Sequence, residues 1–240
     1  MMKYPSPLST LRKRRAEILR ASKLYAILDT GYTAPAELPR MAELLFAGGV
    51  RVFQLRAKTY SPGEIECMAH SLMEVFRGTD ALFLINDHPA LAAKIGADGA
   101  HVGQDDEAVA QARALLGPDA LLGKSTHSIA QARAAQDEDL DYIGFGPIFA
   151  TPTKPDYTPI GTAEIAEVVS FSRVPVFCIG GLKRQNLRAL LEAGMRYAVI
   201  VSGLLTAHDP RAEAAACLEI LGAPSPKASN HVLSETAPGE

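Results

Sequence analysis

The chain has 240 residues, 48% of them hydrophobic and 21% charged, with a formal net charge of −3. Those proportions exclude a disordered chain and supply apolar surface for a sizeable core, and the length suits one large domain of α/β barrel size. The slightly acidic balance argues against nucleic acid as a partner, since such surfaces carry a basic stripe or patch, and points to small anionic ligands.

In chain order, residues 1–22 form an N-terminal extension, predicted helical, whose run Arg12-Lys13-Arg14-Arg15 reads as a solvated basic face. No apolar segment follows it before the first strand, which counts against a secretory signal, and no apolar stretch in the chain is long enough to span a bilayer. Apolar runs suited to buried parallel strands then recur at 24–28, 50–55, 81–85, 99–102, 120–123, 141–145, 174–179 and 197–201. Helix-length segments separate them at 36–47, 62–76, 89–95, 107–116, 129–136, 162–171 and 185–193, and a last one follows at 210–221.

Strict alternation of strand and helix predicts a parallel sheet. Turns such as Ile95-Gly96-Ala97-Asp98 and Ala193-Gly194-Met195-Arg196 carry the glycine that ends a helix tightly before the next strand. Eight units over 23–222 predict a single-domain (β/α)₈ TIM barrel, with a doubly wound sheet as the alternative. The tail, 223–240, is rich in Pro, Ser and Ala and reads as disordered. Cys67, Cys178 and Cys217 fit no zinc or redox spacing and read as small buried hydrophobes in a reducing cytoplasm.

In this fold the active site stands at the C-terminal strand ends, so the residues after each apolar run are the informative ones. Strand two ends in Gln54-Leu55-Arg56-Ala57-Lys58, whose alternation predicts Gln54, Arg56 and Lys58 on one side as an anion clamp. Strand three ends in Asn86-Asp87 and strand four in Gly103-Gln104-Asp105-Asp106; carboxylates at neighbouring ends suit magnesium, although Asp105 and Asp106 also read as helix-capping acids. Strand five runs into Gly123-Lys124-Ser125-Thr126-His127-Ser128, which lacks the spacing of a nucleotide P-loop; Ser125 and His127 are placed to share a ligand or to be structural. The segment Gly146-Pro147-Ile148-Phe149-Ala150-Thr151-Pro152-Thr153-Lys154 after strand six offers small residues, hydroxyls and an ammonium to a phosphate. Gly180-Gly181 and Val201-Ser202-Gly203 end strands seven and eight, the usual phosphate site of such barrels.

Taken together and in this order, Gln54–Lys58, Ile85-Asn86-Asp87, His101–Asp106, Gly146–Lys154 and Ile179-Gly180-Gly181 resemble the motifs of the thiamine phosphate synthase family. The resemblance covers roughly residues 24 to 220. It implies a transferase that joins a pyrimidine diphosphate to a thiazole phosphate, with loss of diphosphate first and capture of a pyrimidine-methyl cation by the thiazole nitrogen. It implies that Gln54, Arg56, Lys58 and Asn86 hold the pyrimidine diphosphate, that Asp87 and Asp106 bind Mg2+, and that Ser125 and Lys154 contact the diphosphate or pyrimidine. Thr151, Thr153, Gly181, Val201 and Ser202 would receive the thiazole phosphate. Arg56, Lys58, Ser125 and Lys154 are thereby the expected catalytic set.

Two positions depart from the synthase pattern. Ala150 stands where a proline is usual, and Lys124 before Ser125-Thr126-His127-Ser128 resembles the related thiazole tautomerases, in which His127 would shuttle a proton. A tautomerase and a non-catalytic phosphate-binding barrel are therefore carried as alternatives. The oligomeric state is open, a homo-oligomer included.

Overall fold

The apolar runs become strands because each is bounded by turn residues and followed by a helix, which leaves parallel pairing as the only way to bury both of its faces. In a computed structural model that describes residues 9–104, 108–151 and 158–222, the strands are β1 (Leu24–Asp29), β2 (Val52–Arg56), β3 (Leu82–Asn86), β4 (Gly99–Val102), β5 (Leu121–Thr126), β6 (Tyr142–Phe145), β7 (Val176–Cys178) and β8 (Tyr197–Ile200). They close in sequence order into a barrel, with β1 pairing parallel to β8 through Tyr25 opposite Val199.

The described α-helices are α1 (Thr10–Ala21), α2 (Leu38–Ala47), α3 (Pro62–Phe76), α4 (Pro89–Ile95), α5 (Val109–Leu116), α6 (Ile129–Ala134), α7 (Ile165–Phe171), α8 (Leu187–Glu192), α9 (Ser202–Leu205) and α10 (Pro210–Ile220). Helix α3 shows why they start where they do. Ser61 accepts from the Glu64 amide, the Glu64 carboxylate accepts from the Ser61 amide, and Pro62 fills the first turn, so the orphan donors of the helix start are met locally.

Register sorts the side chains into two cores. Tyr25 stands opposite Val52, Ile27 opposite Gln54, Leu84 opposite Gly99 and Gly123 opposite Tyr142, so inward residues meet inward residues all round. The inner core contains Tyr25, Ile27, Val52, Leu82, Leu84, Leu121, Tyr142, Phe177 and Val199. The other strand faces pack under the helices in a larger core. Gly123 exists for the inner one: a Cβ there would lie 2.1 Å from the Tyr142 ring.

Beyond shifts of a few residues at element ends, strand β5 and helix α9 differ from the sequence expectation. Strand β5 runs on through Lys124, Ser125 and Thr126, where polar residues interrupt the apolar run but keep the alternation. The four-residue α9, read as loop, is too short to show helical periodicity.

Helix α1 lies across the N-terminal mouth of the barrel. Ala16 and Leu19 are buried in the inner core, with Leu19 fully sequestered. The expectation of a solvated basic face is corrected here: Lys13 and Arg14 are exposed, but Arg12 is buried and Arg15 half-buried. Arg12 Nε donates to Asp141 at 2.8 Å and its Nη2 to Asp139 at 2.7 Å; Arg15 Nε donates to Asp98 at 2.8 Å. Asp98 and Asp141 also accept the Phe83 and Leu122 amides at 2.9 and 2.8 Å, so each ties a neighbouring strand to the helix that closes the mouth.

The cysteine reading is corrected in one place as well. Cys178 and Cys217 are buried, with burial pushing both thiols up to about 12, but Cys67 is exposed on α3. The tail at 223–240 lies outside the described residues.

Replacing Arg12 by Ala removes one of the two arginines on the buried Asp141 carboxylate, leaving Arg113 at 2.9 Å, and leaves the Oδ1 that Arg12 met without its charged partner. Arg12→Ala is expected to cost about 3 kcal/mol in urea unfolding, the range for breaking a buried ion pair. Arg14→Ala, on the exposed side of α1, is expected to stay within about 0.5 kcal/mol. Equal effects of the two would refute the docking of α1.

Candidate active site

A pocket opens at the C-terminal ends of the strands and is lined by Gln54, Arg56, Asn86, His101, Ser125, Thr126, His127, Thr151, Gly181, Val201 and Ser202, with Ile27, Gly146, Pro147, Ile179, Gly180, Leu182 and Val199. The fold brings these together because Gln54 and Arg56 on β2, Asn86 on β3, His101 on β4 and Ser125 on β5 share the inward parity of Ile27 and Leu84. Of the residues singled out from sequence, Gln54, Arg56, Asn86, Ser125, His127, Thr151, Gly181, Val201 and Ser202 line this pocket. Asp106, Thr153 and Lys154 lie outside the described residues.

Arg56 is held rather than loose. Its Nη1 donates to Asp29 Oδ2 at 2.6 Å, and Asp29, only 3% exposed at the end of β1, also accepts the Gly31 amide at 2.8 Å. A carboxylate fixed by a tight turn therefore orients the guanidinium, whose planar fork retains further N–H groups for a second anion. Sequence reasoning ended strand one at Leu28 and missed Asp29. The signal was there, since Asp29 is two residues beyond Ile27 and four beyond Tyr25.

Lys58 does not continue the β2 alternation. It sits in the turn after the strand, half-exposed, where its Nζ pairs with Asp87 Oδ2 at 2.5 Å. Asp87 has φ 62°, the one described non-glycine residue in the left-handed region, and its amide donates to the His101 carbonyl at 2.8 Å. Aspartate tolerates that conformation better than most residues, yet it costs on the order of 1 kcal/mol or more, and such cost clusters at working sites. Lys58 and Asp87 thus form a charged pair at the rim, next to Asn86 and Arg56.

On β5 the inward and outward positions divide sharply. Ser125 faces the pocket, and Gln104 Nε2 donates to its backbone carbonyl. Lys124 points the other way, its Nζ 2.8 and 2.9 Å from the two Glu138 oxygens beyond α6. The basic residue that resembled the tautomerases is thus outside the pocket.

His127 places Nδ1 against the Gly146 carbonyl, which can only accept, so Nδ1 carries the proton. At the far side of the pocket, Gly180 and Gly181 take φ 97° and 67°, and Cβ atoms there would stand 2.4 Å from Pro147 and 2.7 Å from Phe149. Only glycine fits both the conformation and the space, and it brings bare backbone to the pocket beside Ser202.

Beneath the pocket, joining its lining residues Gln54, His101 and Ser125 through two buried phenols, lies a polar chain that sequence reasoning did not find. Gln54 Nε2 donates to the Tyr25 hydroxyl at 2.7 Å, and that hydroxyl lies 3.1 Å from Tyr142 Oη. Tyr142 Oη is 3.0 Å from His101 Nδ1, and His101 Nε2 is 2.9 Å from Ser125 Oγ. Burial pushes both phenols well above their usual range, so both stay protonated. Tyr25 and Tyr142 gave no sequence signal because each sits inside an apolar strand.

Among the described residues no group of three or more His, Cys, Asp or Glu gathers. Magnesium needs only one or two carboxylates beside substrate phosphates, and Asp87, a hard oxygen donor at the rim, suits that chemistry. No described helix is long and apolar enough to cross a membrane.

Comparison with known proteins bears on this geometry. A family profile described as thiamine monophosphate synthase matches residues 24–204. A thiamine-phosphate synthase of Shouchella clausii (strain KSM-K16) is 37% identical over 201 residues, covering 83% of this chain and 96% of that protein. One from Synechococcus sp. (strain WH7803) is 37% identical over 209 residues, 87% of this chain, and this chain spans only 59% of that relative's length. Among solved structures, thiamine phosphate pyrophosphorylase from Pyrococcus furiosus superposes with a TM-score of 0.77 at 28% identity, covering 85% of this chain and 98% of that one. With its match running from β1 into α9, the chain belongs to the thiamine monophosphate synthase family.

Proposed function

We propose that this chain is a thiamine-phosphate synthase, joining a hydroxymethylpyrimidine diphosphate to a thiazole phosphate with release of diphosphate. The observation that carries the reading is one pocket lined by two anion-receiving sets. Gln54, Arg56, Asn86 and Ser125 come from β2, β3 and β5, and Gly181, Val201 and Ser202 from the segments that follow β7 and β8. The relatives' names agree with a two-substrate transferase.

In this mechanism the carbon–oxygen bond to diphosphate breaks first, and the pyrimidine-methyl cation is captured by the thiazole nitrogen. Arg56, oriented by Asp29, and Lys58 meet the charge that grows on the departing diphosphate, which is stabilisation by groups already in position. Gln54, Asn86 and Ser125 orient the pyrimidine diphosphate, and Lys154 adds a further donor. The glycine pair, Thr151, Thr153, Val201 and Ser202 hold the thiazole phosphate so that its nitrogen faces the cation with water excluded. Asp87 and Asp106 would hold Mg2+, which when bound neutralises part of the diphosphate charge. The tautomerase alternative loses support from Lys124, which is turned out onto Glu138. A cytoplasmic setting fits the free thiols of Cys67, Cys178 and Cys217.

The direct test is release of diphosphate and formation of thiamine phosphate by the purified chain with both substrates and magnesium. Isomerisation of a thiazole phosphate alone, without diphosphate release, would favour the tautomerase instead.

Arg56→Ala is expected to lower kcat by roughly 10²-fold and weaken use of the pyrimidine diphosphate, because its contact strengthens as charge develops. Ser202→Ala is expected chiefly to raise the thiazole KM, since the thiazole phosphate gains no charge in the transition state. Steady-state kinetics varying each substrate separates them, and Arg56→Ala affecting only thiazole binding would refute the assignment. Asp87→Asn should lower turnover on the order of tenfold or more at limiting magnesium while leaving the melting curve near wild type.

Lys124→Ala is expected to keep kcat/KM within about twofold of wild type and to cost less than about 1 kcal/mol, as a partly exposed ion pair would. A collapse of activity in Lys124→Ala with the fold retained would return that lysine to the chemistry.

A further inference from the structure

We propose that Tyr25, Tyr142 and His101 form a hydrogen-bond wire of fixed direction that joins Gln54 to Ser125 and turns the Ser125 hydroxyl proton into the pocket, as a donor to the pyrimidine diphosphate. The three act as positioning residues. The proposal rests on the synthase reading for the identity of the ligand, whereas the wire itself is a property of the ligand-free chain.

Direction follows from the donor and acceptor inventory. Gln54 Nε2 can only donate, so the Tyr25 oxygen accepts at 2.7 Å. Tyr25 has one proton, and its other hydrogen-bond partner is Tyr142 Oη at 3.1 Å. Were Tyr142 the donor in that pair, the proton of a phenol that is only 1% exposed would have no acceptor among the described residues, a costly arrangement. Tyr25 therefore donates to Tyr142. Tyr142, having accepted, donates to His101 Nδ1 at 3.0 Å. His101 is then neutral with its proton on Nε2, which donates to Ser125 Oγ at 2.9 Å. The Ser125 oxygen accepts from within the barrel, and its own proton is left for the space it lines.

The path runs from β2 to β1, crosses the barrel to β6, and returns through β4 to β5. Room for it is specific. A Cβ on Gly123 would collide with the Tyr142 ring at 2.1 Å, and one on Gly144 would touch His101 Cε1 at 3.5 Å. The rings are also locked, with Tyr142 edge-on to Tyr25 and to Phe177 at centroid distances of 5.9 and 5.5 Å. Burial keeps both phenols protonated, so each has a proton to donate along the wire. A chain of buried donors of this kind polarises along its length, so its two ends are coupled.

The wire is tested first without substrate. Nitrogen-15 NMR of the histidine side chains in the full-length, ligand-free protein should show His101 as the neutral tautomer protonated at Nε2, with its resonance assigned by a His101→Gln control. Protonation at Nδ1, or at both nitrogens, would overturn the direction.

Kinetics then test the role. Tyr142→Phe keeps the ring and its packing and removes only the middle oxygen. It should lower kcat/KM for the pyrimidine diphosphate about tenfold, the scale of one hydrogen bond, and leave the thiazole KM within about twofold. In a Ser125→Ala background the same substitution should cost less than about twofold, because the wire's end has already been removed. Multiplicative losses in the double variant, or a lowered melting temperature with kcat/KM unchanged, would reduce Tyr142 to a packing residue. Should the wild-type chain form no thiamine phosphate, the synthase reading and the ligand assigned to Ser125 would fall together, while the NMR result would still judge the wire.

Discussion

Closure of the sheet by the ladder between β1 and β8 is the constraint on which the rest depends. Once Tyr25 stands opposite Val199 and Val52, the parity of every strand is set, and a shift by one residue would send the inner core outward. That parity puts Arg56 and Ser125 into one pocket and puts Lys124 out against Glu138, although Lys124 and Ser125 are neighbours in the chain. Inner residues below the pocket are mostly aromatic or aliphatic and fill the barrel; on β2 to β5 those above them, Arg56, Asn86, His101 and Ser125, are polar and line it.

Aspartates at strand ends do opposite jobs at the two mouths. At the N-terminal mouth Asp98 and Asp141 take a strand amide and an arginine of α1 each, and the charges are consumed in holding the helix over the inner core. At the C-terminal mouth Asp29 and Asp87 hold Arg56 and Lys58, and those cations remain beside an open pocket. An ion pair that is closed over by packing contributes architecture. One that is left at the lip of a cavity keeps a cation oriented until a stronger anion arrives.

The left-handed Asp87 and the Gly180-Gly181 pair belong to the same division of labour. The one described non-glycine residue in the left-handed region, Asp87, stands at the mouth that carries the pocket, whereas the left-handed positions at the opposite mouth, Gly96 and Gly194 among them, are glycines that end helices before strands. The rigid barrel bears the cost of the Asp87 conformation because the strands on either side are paired along both edges.

By itself the sequence determined the order and number of strands, because apolar runs bounded by turns recur eight times with helices between them, and it determined which strand ends are polar. It also carried the motifs from Gln54 to Gly181 that mark the family. It did not reveal the job of Asp29, Arg12 or Arg15, since a charged residue beside an apolar run looks the same whether it meets water or a partner far along the chain. It hid Tyr25 and Tyr142, and the contacts of His101 with them, for the converse reason: tyrosine in a strand reads as core, and its hydroxyl acquires meaning only when barrel closure brings β1, β4, β5 and β6 within hydrogen-bond reach. Those contacts join residues 24 to 117 positions apart, so only the tertiary structure, which sets distance independently of sequence separation, could decide them.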